Sequence, residues 1–150
     1  MLLVHQGRLL LNLARIPALG DASTLPGGGQ DQYESMRDAL VREALEETGY
    51  TVASQALVGI YEEIYADGSA MRRQSPDYAH KVAHIFRCTL AHEERAEPTE
   101  QDSNQTGCAW LPLDALDGIP LQPVCVAQAL RALLATPVPL FLGTHIIDRD

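Results

Sequence analysis

The sequence predicts a mixed α/β (α+β) domain in which a mixed β-sheet is flanked by helices, and three observations predict it. An uninterrupted helical stretch runs from Glu34 to Thr48. Short Val-, Ile- and Tyr-rich runs bounded by turn signals read as strands. A second apolar stretch near the end has helical spacing. The 150 residues fit a single domain, 1–150, large enough to fold without staples. No repeat, linker or low-complexity segment divides them.

Taken in order, Leu2–Val4 and Leu9–Leu13 are apolar runs on either side of His5-Gln6-Gly7-Arg8, the pattern of a β-hairpin whose first strand looks clipped. Ile16 to Thr24 reads as a loop, with Pro17 and Gly20. Leu25-Pro26-Gly27-Gly28-Gly29 follows, and successive glycines demand a special backbone path. In the helix, Met36, Leu40 and Ala44, with Ala39 and Val41, recur at three- and four-residue steps and mark an apolar face, and Gly49 ends it. Thr51 to Tyr65 reads as strand, Asp67-Gly68 as a turn, Met71–Arg73 as the start of a return strand, and Lys81 to Leu90 as a further strand. Polar, acidic Glu93 to Gly107 should be a solvated loop, and Ala109-Trp110-Leu111 should close a sheet. Val124, Ala127, Leu130 and Leu134 place a helix over Val124 to Ala135. Apolar Pro137 to Ile147 reads as an edge strand or a contact in a homodimer.

Eleven Lys plus Arg against twenty Asp plus Glu give a net charge of −9. Such a surface repels a phosphate backbone, which argues against a nucleic acid polymer as partner. A phosphate-bearing ligand must then be held by local cations. Cys88, Cys108 and Cys125 form no CxxC motif and read as reduced, structural thiols, as in a cytoplasmic protein. The N-terminus lacks the features of a signal peptide, and no run approaches the ~18 apolar residues of a membrane span.

Glu43, Glu46 and Glu47 carry the chemistry. At i, i+3 and i+4 their carboxylates share one side of one helical turn, where they repel each other and sit at the unfavourable end of the helix dipole. A divalent cation relieves both penalties, and oxygen-only ligands select Mg²⁺ or Mn²⁺ over zinc. The alternative is a solvated helix face. The wider spacing decides between them: Gly28, five residues, Glu34, seven residues, then Arg42-Glu43-Ala44-Leu45-Glu46-Glu47-Thr48-Gly49-Tyr50.

This 23-residue pattern resembles the Nudix box at every fixed position. The resemblance implies a Nudix-like sandwich over nearly the whole chain. It also implies metal-dependent hydrolysis of a phosphoanhydride bond in a small nucleoside diphosphate-linked substrate, or else a Nudix-like module that binds a nucleotide without cutting it. Glu46 and Glu47 would be the main metal ligands. Glu43 would complete the metal site or take a proton from the attacking water, and the Gly28 carbonyl would face the metal. Arg42 and Glu34 would be a pair holding the loop against the helix. Tyr33 stands where the family commonly has glycine. Where members often carry a distal acid this chain has Gln105, with Glu100 or Asp102 as substitutes from further back. Arg15, Arg72 and Arg73 are candidate phosphate contacts, and Tyr65 is a weaker substrate contact. His80 and His84 share a strand face, with no further zinc ligand in evidence.

Overall fold

The computed structural model describes residues 1–16, 19–100 and 103–148. A tight turn with positive φ at Gln6 and Gly7 joins β1 (Leu2–His5) to β2 (Arg8–Ile16), which pair antiparallel as the hairpin pattern requires. The segment read as a loop after β2 is instead strand β3 (Gly20–Thr24) in its second half, paired antiparallel with β2 from Asn12 to Ile16. An Arg15–Asp21 ion pair at 2.8 Å joins the two strands, a cross-strand contact that composition does not reveal.

Helix α1 (Met36–Thr48) starts at Ser35, whose hydroxyl accepts the Asp38 N–H, and ends at Gly49 in the left-handed conformation at φ 76°. A Cβ at Gly49 would also collide with the Ala96 carbonyl, so this position is closed to other residues twice over. β4 (Tyr50–Tyr65) follows. The expected return strand at 71–73 is a correction: Ala70–Gln74 form a short helix, α2, because Ser69 caps its first turn. The return strand, β5, runs from His80 to Arg95, further than Leu90 and into the expected loop. β6 (Gln105–Pro112), β7 (Leu121–Gln122), α3 (Val124–Ala135) and β8 (Leu140–Ile147) complete the order.

The strands run β7-β3-β2-β1-β5-β4-β8, with β6 on the other side of β2, and β8 is an edge strand parallel to β4. The sheet is mixed, with β1–β5 parallel and β4–β5 antiparallel. Side chains alternate across strands, so adjacent leucines serve different layers. Leu2, Leu9 and Leu11 pack with Val126, Leu130 and Leu133 of α3. Leu3 and Leu10 pack with Leu40 and Ala44 of α1. The buried face of α3 is therefore centred on Val126, Leu130 and Leu133, and Val124 is exposed. Met36 of α1 is likewise more exposed than its spacing predicts. The three cysteines are free thiols, and burial pushes the Cys88 thiol up to about 11, which keeps it protonated. No described helix is long and apolar enough to cross a membrane.

The two long helices, α1 and α3, end beside β5. Arg87 donates to the carbonyls of Leu133 and Leu134 in the last turn of α3 and of Thr136 just past it. At the end of α1, Arg95 donates to the Thr48 carbonyl at 2.9 Å, and the Ala96 N–H to that of Gly49 at 2.8 Å.

Candidate active site

The site forms where β1 stops. β1 meets β5 only at Leu2–Arg87 and Leu3–Cys88, so the stretch of β5 from Lys81 to Phe86 borders a cleft of about 770 Å³. The glycine loop (Gly27–Gly29) and α1, through Ala39 and Glu43, form one wall. Tyr61, Glu63 and Tyr65 of β4 and Lys81 and His84 of β5 form the other.

Arg42 organises the helix side. Its Nε and Nη2 donate to the two carboxylate oxygens of Glu34 at 2.9 and 3.0 Å, and Nη2 also donates to the Gly29 carbonyl at 2.8 Å. Its Nη1 donates to Glu43 Oε1 and Glu46 Oε2, both at 2.9 Å. The expected Arg42–Glu34 pair is thus bidentate and ties the loop to the helix. The Arg42 hydrogen bond, with help from the Asp31 N–H, holds the Glu34 carboxyl below its ordinary range. In return Glu34, then Glu43, raises the Arg42 guanidinium above its own. Gly28 lies against Glu43, and a Cβ there would fall 2.6 Å from the carboxylate carbon. Glycine is what lets the loop backbone approach that carboxylate.

Glu47 turns inward. Its side chain is buried, and its Oε2 accepts from Asn12 Nδ2 at 2.9 Å and from the Gly27 N–H at 2.8 Å. Asn12, the one polar residue in the run Leu9 to Leu13, is a positioning group the sequence reading missed. Gln105, at the place expected for a distal acid, donates through Nε2 to the Glu47 carbonyl at 3.1 Å and so clamps the helix end. The N–H groups of Thr99 and Glu100 donate to the Glu46 carbonyl at 2.9 and 3.2 Å. Glu100 therefore reaches this turn through its backbone, and its side chain is exposed. Asp102 lies outside the described residues.

Other candidates stand elsewhere. Arg15 pairs with Asp21 on the β2–β3 surface. Arg72 and Arg73, on α2 rather than a strand, contact Asp67 and the Gly68 carbonyl. None of these three arginines is in the cleft wall, whereas Tyr65 and His84 are. His80 bonds Glu62 at 2.7 Å.

The donor set fits a hard divalent cation. Glu43, Glu46 and Glu47 offer carboxylate oxygens from one turn. Two further buried oxygens beside it, Asn12 Oδ1 and Gln105 Oε1, have no hydrogen-bond partner. No three described His, Cys, Asp or Glu residues converge tightly enough to form a preassembled cage. The Arg42 guanidinium supplies positive charge to Glu43 and Glu46, while Glu47 is held apart by Asn12 and Gly27.

The NUDIX domain family matches residues 1–133. A 38-residue stretch is 55% identical to a Bacillus subtilis (strain 168) protein named "Putative 8-oxo-dGTP diphosphatase", covering 25% of this chain and 26% of that one. An uncharacterized Nudix hydrolase of the same organism is 26% identical over 98 residues, 65% of this chain and 56% of the relative. The matches thus span 26% and 56% of the length of these curated relatives. The mutator MutT protein from Bacillus halodurans superimposes with a TM-score of 0.67 at 22% identity, over 99% of this chain and 88% of that one. An ADP-ribose pyrophosphatase from Streptococcus suis superimposes with a TM-score of 0.58 at 21% identity, over 96% and 94% of the two chains. At such identities the likeness is one of fold.

Proposed function

The chain belongs to the Nudix family, and from that we propose that it hydrolyses a phosphoanhydride bond in a small nucleoside diphosphate-linked substrate with the help of a divalent metal. The observation that carries this reading is Glu43, which opens the glutamate turn and lines the cleft with Gly28 close against its carboxylate, while Glu46 and Glu47 follow on the same turn.

Glu46 and Glu47 would hold the ion, with Glu43 and the Gly28 carbonyl completing its surroundings and Mg²⁺ or Mn²⁺ the best match to these oxygens. Bound there, the ion supplies Lewis acidity at phosphorus and offsets the negative charge of the phosphates. The chain's own residues do the rest. Arg42 and Glu34 hold the glycine loop and the helix in fixed relation, as supporting groups must. Glu43 is the nearest candidate to accept a proton from the attacking water. Arg42 Nη1 donates to its Oε1 at 2.9 Å and fixes the carboxylate beside Gly28. Asn12 and the Gly27 N–H hold Glu47 through one oxygen, Oε2. Tyr65 and the β5 wall enclose the nucleoside part.

A second reading, a module that binds a nucleotide without cutting it, is favoured by one observation. Arg42 already engages Glu43 and Glu46, as it would in a protein that needs no metal. One experiment separates the two: a panel of nucleoside triphosphates, sugar nucleotides and dinucleoside polyphosphates incubated with Mg²⁺ or Mn²⁺, with product masses identifying the bond cut. Glu46→Gln and Glu47→Gln should each lower kcat by about 100-fold or more, the scale for removing one electrostatic group from a reaction centre. Both should keep the wild-type circular dichroism spectrum, since in Glu47→Gln the side-chain amide oxygen can still accept from Asn12 and Gly27. Near-normal turnover in both variants would remove this turn from the reaction, and no cleavage of any substrate would leave the binding reading standing.

A further inference from the structure

At the far side of the cleft, Glu63 and Lys81 face each other across β4 and β5 in register, with Lys81 Nζ 2.7 Å from Glu63 Oε2. The Glu63 side chain is 8% exposed and that of Lys81 51%. Both line the same cleft as Glu43 and Gly28, among Tyr61 and Ile85. Burying a carboxylate is costly unless its oxygens are well hydrogen-bonded, and a half-exposed lysine is weak compensation. Lys81 is the ion-pair partner of Glu63 among the described residues, and a carboxylate has roughly four lone-pair sites. A buried acid in a ligand cleft with acceptor capacity to spare is a recognition group for N–H donors. It also repels phosphate, so on the metal-dependent reading a nucleotide lies with its phosphates toward the glycine loop and Glu43, where the cation would offset their charge, and its base toward Glu63.

We propose that Glu63 and Lys81 read the edge of the nucleobase and select a guanine-type base, one presenting an exocyclic oxygen beside two N–H donors. The proposal rests on the nucleotide reading above for its ligand class. An ammonium donor beside a two-oxygen acceptor is the complement of guanine's O6, N1–H and N2–H. Adenine offers the carboxylate one N–H and the bare N1 lone pair, and cytosine sets its bare N3 against it. Hypoxanthine keeps the oxygen and N1–H but lacks the second donor, so it should rank between guanine and adenine. The pattern comes from strand phase: Tyr61, Glu63 and Tyr65 alternate onto one face of β4, and the β4–β5 register sets Lys81 opposite the acid.

The test is titration calorimetry with GMP, IMP and AMP, which contain no anhydride bond, on the full chain and on Glu63→Gln and Lys81→Met. GTP, ITP and ATP hydrolysis is followed in parallel. GMP should bind roughly 10–100-fold more tightly than AMP, the range for one bidentate base contact, with IMP between them. Glu63→Gln should bring the GMP-to-AMP ratio near one. Lys81→Met should weaken GMP and IMP alike, because both carry the 6-oxygen, and leave AMP unchanged. Since Lys81 is half exposed, that variant tests the proposal even if Glu63→Gln fails to fold. Equal binding of GMP and AMP by the wild type, no binding of any monophosphate, or a ratio unmoved in Lys81→Met would overturn it. GMP preference with no cleavage of any triphosphate, sugar nucleotide or dinucleoside polyphosphate would sink the hydrolase reading alone, and cleavage without base preference would sink only this one.

Discussion

Arg42 distributes one guanidinium over three carboxylates and a loop carbonyl, a task only a planar fork with five donors can perform. The same loop holds a residue in a less comfortable state. Tyr33, next to Glu34, has φ 69° and is fully exposed. A bulky side chain in that left-handed region costs on the order of 1–3 kcal/mol, and glycine's greater unfolded freedom returns about 0.5–1 of it. Tyr33→Gly should therefore stabilise the fold by about 1 kcal/mol, read as a higher urea midpoint at unchanged slope. A lower midpoint would mean that the ring does something its exposure hides. The residue the family commonly places here is the one whose backbone this conformation suits.

Among the elements, α1 was legible because local signals agreed: an uninterrupted helical stretch, a three-four apolar stripe and a terminal glycine. The Ser35 cap that starts it at Met36 rather than Glu34 went unread. Gly49→Ala tests the terminal glycine. Its φ of 76° and the contact with Ala96 should together cost about 1–2 kcal/mol or more by denaturant unfolding, and a loss below half of that would show that the helix end can relax. The glutamate turn was equally legible, because fixed spacing on one helix fixes geometry, whereas the Arg42–Glu34 pair, with Glu34 ahead of the helix, was legible only through the family resemblance. β3 and α2 were not. Gly20 to Thr24 becomes a strand only because β2 lies beside it, and Ala70–Gln74 curls because Ser69 caps it where a hairpin return was expected. Asn12, Glu63 and Lys81 escaped for a related reason. Their roles depend on what the fold sets opposite them, Glu47 of α1 for Asn12 and the β4–β5 register for Glu63 and Lys81, and that is a tertiary fact.

At the scale of the molecule, the sheet separates two apolar layers that share no residue, one under α1 and one under α3. Leu10→Ala and Leu133→Ala each remove a fully buried side chain from a different layer and should each cost about 2–5 kcal/mol. Their double variant should lose the sum to within about 0.5 kcal/mol, and a larger departure would mean the layers communicate through the sheet. The end of α1 is bound to the rest of the chain in another way. Its last carbonyls are taken not by solvent but by distant chain: Glu46 by Thr99 and Glu100, Glu47 by Gln105, Thr48 by Arg95 and Gly49 by Ala96. Most helices fray from the end inward, each terminal amide opening on its own. Here the turn that bears the glutamates can open only if the chain after β5 peels away with it. In deuterium exchange, the Ala96 and Thr99 amides should therefore open in step with that last turn, as one cooperative unit, and independent fast exchange at the helix end would contradict it.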